Sequence, residues 1–262
     1  MSISANTLFH FTSYDNLKGI LINGFHPRSC VEQVAFSNNE FPVAISMVSF
    51  CDIKFSQLKD HINSYGRYAI GLTKQWGISK GINPVFYIEA NTTPHVLINN
   101  MVKAYFALMN SGQSALILTP QQKAEFTDLL QLVAYCKVNN TKKWDKINQR
   151  FGDQTFDFYN EREWRYFPGV QPSESPDILA LPFIPMLMQE KFNFVEALRY
   201  QDELARKKPL KFTSEDIRYI IVESDSVIEE LISFMRNNKL FQDHFDILIS
   251  KITTVQRIKD DH

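Results

Sequence analysis

The segment Asn160-Glu161-Arg162-Glu163-Trp164-Arg165-Tyr166-Phe167-Pro168 carries the densest potential for chemistry in the chain. Charged residues at 161, 163 and 165 alternate with bulky ones at 162, 164 and 166. A period of two places each set on its own face of a strand. One face then packs Trp164 and Tyr166, and the other collects Glu161, Glu163 and Arg165. Two carboxylates this close repel, so the face needs a partner or a function. A carboxylate beside a sugar can stabilise an oxocarbenium-like transition state, or take a proton from an attacking group. The plainer reading is a solvated strand face on which Arg165 neutralises the pair.

Three other places hold reactive or recognitive groups. Tyr65-Gly66-Arg67 offers an aromatic face for a flat, electron-poor ring, next to a glycine that permits close backbone approach. His10 sits between Phe9 and Phe11 and, taken alone, reads as a satisfied core histidine. The stretch Lys137 to Phe151 gathers Lys137, Lys142, Lys143, Lys146 and Arg150 around Trp144, against one Asp145. Cations interleaved with an aromatic can hold a nucleic-acid strand, and Lys142, Lys143, Trp144 and Lys146 are the candidates; the alternative is a solvated helix face. No glycine-rich phosphate loop occurs, so a pyrophosphate would need backbone amides or an arginine such as Arg67 or Arg28.

Composition narrows the setting. The net charge of -1 excludes a chain that binds nucleic acid through its overall charge, though not through a local patch. Cys30, Cys51 and Cys136 are odd in number and widely spaced, which argues against a disulfide framework and a zinc site. Met1 to Leu8 lacks the features of a signal peptide, and apolar runs such as Ala180 to Met188 are short and broken by prolines. A reducing cytoplasm, with no membrane contact, is the expectation. With 21 Phe and 10 Tyr in 262 residues, a β-rich core or aromatic-lined pocket fits.

The elements that would position these groups follow from spacing. Leu8–Phe11 reads as a strand, followed by a helix over Tyr14–Asn23 capped by Thr12 or Ser13 and stopped by Gly24. Pro42–Phe50, Arg67–Leu72, Val85–Glu89 and Asp216–Glu223 read as strands, and Phe55–Ser64 as a helix that ends before Tyr65. Asn99–Met109 and Pro120–Val138 have helical spacing, as does Asp225–Asn237. Pro172–Pro185 reads as an irregular connection, Lys191–Lys207 as a helix, and Leu248–Ile258 as a weak closing strand. The sum is an α+β chain of one domain, 1–262, with a mainly helical insertion near 93–150.

Four segments in order resemble a known pattern. They are Leu8-Phe9-His10-Phe11-Thr12 with Asn16-Leu17, Ile20-Leu21 and Gly24-Phe25; Val48 to Ile53; His61 to Leu72; and Glu161 to Arg165. The first resembles the N-terminal pattern of ADP-ribosyltransferases such as the DNA-modifying DarT toxins. All four together resemble the AbiGi-type abortive-infection proteins of bacterial phage-defence operons. The resemblance implies an ADP-ribosyltransferase-like split β-sheet core with flanking helices, and NAD as ADP-ribose donor without a metal. It assigns Glu163 and Glu161 to catalysis, with Glu161 on the acceptor side. His10, Thr12, Tyr65, Gly66 and Arg67 are assigned to the cofactor, His10 at the adenosine ribose and Tyr65 at the nicotinamide.

The function so implied is a phage-defence toxin that transfers ADP-ribose to a macromolecule, with nucleic acid favoured over protein. A cognate antitoxin is an expected partner. The resemblance also extends to proteins described as antitoxins, so a non-catalytic antitoxin or sensor with the same fold stands beside it. An NAD glycohydrolase, with water as acceptor, is the third reading.

Overall fold

The computed structural model describes residues 5–33, 42–110, 119–145, 148, 150–168, 183–185, 199, 202–203 and 205–260. Its centre is strand β1 (Thr7–Thr12), paired antiparallel along its whole length with β4 (Tyr68–Thr73). Beyond β4 lie β12 (Ile217–Val222) and then β13 (Ile252–Thr254), the last pair parallel. On the other side of β1 come β3 (Pro42–Cys51), β10 (Glu163–Tyr166) and β5 (Asn83–Pro84). Among the described residues, β2 (Arg28–Gln33) and β11 (Phe183–Pro185) also pair with β3, making nine strands in this sheet.

Alternation along the strands builds a core on each face of the sheet. Leu8, Ile70, Leu72, Ile220 and Val222 point to one side. There they meet helices α1 (Tyr14–Asn23), α3 (Lys74–Ser79) and α6 (Asp225–Arg236) through Leu17, Ile20, Trp76, Leu231 and Met235. Phe9, Ala69 and Ile221 point the opposite way, onto α2 (Leu58–Tyr65) and α8 (Val255–Asp260) through Leu58, Ile62, Val255 and Ile258. Each such aliphatic or aromatic side chain, fully buried, contributes roughly 1.5–3 kcal/mol. The helix α1 begins and ends as its sequence dictates. Ser13 is extended and its Oγ accepts from the Asn16 N–H, while Gly24 at φ 73° donates its N–H to the Ile20 carbonyl.

β3 is the strand on which the sheet divides. Its N-terminal half is flanked by β2 and β11, and its last residue by β1 and β10. Its odd-numbered Val43, Ile45 and Met47 pack with Val102 of α4 (Thr93–Asn110) and Val133 of α5 (Pro120–Val133). Its even-numbered Val48 and Phe50 enter the main core.

Several sequence expectations change. The helical stretch ends at Val133, and Cys136–Val138 is a strand, β7, parallel to β6 (Phe86–Ile88). The basic segment is a β-hairpin rather than a helix face. Strand β8 (Asn140–Asp145) pairs with β9 (Arg150–Asp157), and residues up to Asp157 that spacing could not link hold it in place. The alternating segment becomes strand only at Glu163, because Phe158–Glu161 is a 3-10 turn and Arg162 takes a left-handed conformation at φ 46°. The closing strand shrinks to three residues between α7 (Phe245–Ile249) and α8, since the Thr254 hydroxyl accepts from the Arg257 N–H and starts a helix. Of Lys191–Lys207, Arg199, Asp202, Glu203, Ala205 and Arg206 are helical and several neighbours lie outside the described residues; most of Pro172–Pro185 also lies outside them. The architecture is mixed α+β.

Candidate active site

A cavity of about 450 Å³ opens where β1 and β3 part. These two strands pair only at Phe9 and Cys51. Beyond that pair the Ser49 carbonyl accepts a hydrogen bond not from backbone but from His10 Nδ1, at 2.8 Å. A carbonyl can only accept, so Nδ1 carries the hydrogen and Nε2 is left as an acceptor. Burial lowers the His10 pKa and the bond to Ser49 opposes it only in part, so the ring is neutral near pH 7. Phe25 at 5.1 Å and Phe50 at 5.7 Å hold the ring on its apolar side.

A buried ion cluster forms the floor. Arg165 is fully buried, and its Nε and one terminal nitrogen donate to the two oxygens of Glu163 at 2.8 and 3.0 Å. The same terminal nitrogen reaches Glu32 at 2.5 Å, and the other donates to the Ala134 carbonyl at 2.9 Å. Lys137 Nζ bridges Glu163 at 2.9 Å, Glu161 at 2.8 Å and Glu32 at 3.3 Å. Ser49 donates its hydroxyl to Glu163 at 2.7 Å. Burial pushes the Glu163 carboxyl up, but Arg165 and Lys137, with the hydrogen bonds from Arg165 and Ser49, win and hold it well below the usual carboxylate range. Burial likewise opposes the charge on Lys137, and its three carboxylates raise its pKa well above the ordinary value. Three carboxylates against two cations leave the cluster one formal negative charge.

The two glutamates differ in what they can still do. Both Glu163 oxygens accept twice, which fills the lone-pair positions of a carboxylate. Glu161 lies nearer the opening, with one oxygen on Lys137 and the other accepting from the Tyr65 hydroxyl. Burial, and then Glu161, push the Tyr65 phenol far up, so it remains a donor. The Tyr65 ring is stacked on His61 at 5.2 Å, and the Lys143 ammonium stands 4.9 Å from its centroid. The β8–β9 hairpin thus contributes a wall, through Lys142, Lys143 and Trp144. Cys51 also faces the cavity, but burial and the nearby Glu161 push its thiol far up, so it is no thiolate nucleophile at neutral pH.

Of the residues singled out from sequence, His10, Tyr65, Glu161, Glu163, Lys142, Lys143 and Trp144 meet at this cavity. Thr12, Gly66 and Arg67 do not line it. Thr12 pairs with Tyr68, a Cβ on Gly66 would lie 3.3 Å from the Thr12 carbonyl, and Arg67 is committed to Glu223, just beyond β12. Lys146 lies outside the described residues. Glu161 pairs with Lys137 rather than with Arg165 or Arg162. Sequence reasoning missed Glu32, Ser49 and the bridging role of Lys137. The signal for Lys137 was its place between Cys136 and Val138, an isolated lysine in an apolar strand; it was hidden at the edge of the basic run. Among the described residues no group of His, Cys, Asp and Glu is placed to hold a metal ion, and no helix is long and apolar enough to cross a membrane.

Comparison with known proteins adds the family. Residues 23–223 match a family model described as "Putative abortive phage resistance protein AbiGi, antitoxin". The abortive phage resistance protein AbiGi of Lactococcus lactis subsp. cremoris is 30% identical over 255 residues, covering 90% of this chain and 97% of that protein. No solved structure matches the chain. The matched stretch spans the strands that carry Ser49, Lys137, Glu163 and Arg165, and the likeness extends over nearly the whole of both proteins: the chain belongs to the AbiGi family of abortive phage resistance proteins.

Proposed function

We propose that the cavity binds NAD and that the chain transfers ADP-ribose from it to a macromolecule, with nucleic acid favoured over protein, as its part in phage defence. One observation carries this reading. His10, Tyr65, Glu161 and Glu163, dispersed over some 150 positions, meet in a single cavity. Its volume of about 450 Å³ is within the range of about 300–1,000 Å³ usual for small-molecule sites.

The residues fit the group. His10 Nε2 accepts from a ribose hydroxyl, the Tyr65 side takes the nicotinamide, and Glu161 faces the ribose between them. Bound NAD supplies a glycosidic bond whose cleavage builds positive charge on the sugar. The surplus negative charge of the cluster stabilises that charge, and Glu161, with the fewer committed positions, is the carboxylate that orients a ribose hydroxyl or the acceptor. Glu163, Arg165, Lys137 and Ser49 hold Glu161 and the cavity floor in place.

The test is incubation with labelled NAD and cell extract. Wild type labels a macromolecule, and Glu161→Gln lowers that labelling at least about a hundredfold, the size of a lost acid–base or charge-stabilising group. Nuclease or protease treatment of the product identifies the acceptor class. Absence of both label transfer and NAD binding in wild type would sink the proposal. A second reading, a non-catalytic antitoxin or sensor, is favoured by the saturation of Glu163, whose four acceptor positions are all filled from within the protein. It predicts no transfer, and no growth arrest when the chain is expressed alone.

A further inference from the structure

The contact between Lys143 and Tyr65 is not accounted for by any role given so far. The Lys143 ammonium stands over the Tyr65 ring at 4.9 Å from the centroid. That ring is also stacked on His61, at 5.2 Å and 26° between planes. Its hydroxyl is committed to Glu161, which fixes the ring's orientation toward the cavity. An imidazole and an ammonium both lie against this one ring. Lys143 itself is solvent-exposed and sits on β8 beside a register irregularity between Lys142 and Trp144, where the ladder is locally loosened. The lysine stem is long enough to reach the ring and to leave it without moving β8.

We infer that Lys143 is a built-in competitor for the Tyr65 face, a cation that must withdraw before a flat cationic ring can stack there. The inference rests on the proposed NAD reading, because it is the nicotinamide of oxidised NAD that is both flat and positively charged. The electrostatic attraction that draws such a ring to Tyr65 is the one that now holds the ammonium. Lys143 therefore lowers the affinity of the cavity for any ring that stacks there, and a cationic ring, unlike a neutral one, regains from the tyrosine face the attraction given up by the lysine. On a tyrosine face such a contact corresponds to about two- to thirtyfold in a binding constant.

The test is calorimetric titration of NAD into wild type, Lys143→Met and Lys143→Arg. Lys143→Met keeps the apolar stem and removes the charge, and it binds NAD about two- to thirtyfold tighter, while Lys143→Arg stays near wild type. Unchanged binding by Lys143→Met overturns the inference, and so does weaker binding, which would assign the ammonium to the pyrophosphate. Those outcomes leave the NAD reading standing, whereas failure of all three proteins to bind NAD removes that reading and this inference with it. The N-methylnicotinamide cation and neutral nicotinamide serve as second probes. Lys143→Met strengthens binding of both rings, because both must displace the ammonium, and strengthening of the cation alone would mean charge repulsion and overturn the competition. Unchanged thermal unfolding of the variants excludes a folding defect.

Discussion

Glu163 accepts from three side chains at once, so its ionisation is tied to the stability of the whole cavity floor. The folded chain holds this carboxyl below its ordinary value of about 4.5. As pH falls, the unfolded chain therefore takes up the proton first. The stabilisation is complete above the unfolded value and is lost as pH drops through the folded one. Urea unfolding at a series of pH values should show stability falling below about pH 4.5, with the fall reduced in Glu163→Gln. At neutral pH the same variant costs about 3–5 kcal/mol, because Arg165 and Lys137 keep their buried charges and lose one of the two carboxylates they share, Glu163 and Glu32. Glu161→Gln, nearer the opening and leaving Lys137 its ion pairs with Glu163 and Glu32, should lower stability by less. That separation of stability from ligand chemistry is what the different saturation of the two glutamates implies.

The elements around the cavity are held by a few backbone conformations that only certain residues adopt. Gly24 ends α1 at φ 73°, and a Cβ there would lie 2.7 Å from the Leu210 carbonyl, which pairs with Phe25. Gly24→Ala should lower stability by about 1–3 kcal/mol, from left-handed strain and the backbone clash together. Because Phe25 packs on His10, nuclear magnetic resonance of the His10 ring should report the change, and an unmoved His10 signal would refute the link. At the opposite wall, the β8–β9 hairpin explains why a polar segment of lysines adjoins a buried site. Thr141 is buried against the body while Lys143 is exposed, so the hairpin is half wall and half surface.

At the scale of the whole molecule, β3 joins everything. Its C-terminal end meets β1 on one edge and β10 on the other at the cavity, and its odd-numbered residues hold α4 and α5. Ile45 is fully buried in that second cluster, away from the cavity. Ile45→Ala should cost about 2–5 kcal/mol by the cavity it leaves. Native-state hydrogen exchange should show the loss concentrated in α4 and α5, the helices that this cluster secures. Uniform loss over the main core would mean that the clusters fold as one unit.

What could be read from sequence and what could not follows from the range of the forces involved. The cap and stop of α1, the strands through Leu8, Pro42, Tyr68 and Ile217, and the helix over Asp225–Arg236 were legible, because capping, glycine freedom and periodicity act between near neighbours. The pairing of Glu163 with Arg165 was legible for the same reason, at a separation of two residues. Three things were not. The basic segment folds as a hairpin because Asn140 pairs with Asp157, a ladder that local spacing does not encode. Lys137 and Glu32 join the charged cluster because β7 and β2 come together over more than a hundred residues. Finally, the face expected to be solvated is the buried one. Alternation separates the two faces of a strand, but only the packing of β3, β7 and the hairpin decides which face meets water, and here it enclosed the charges with their partners.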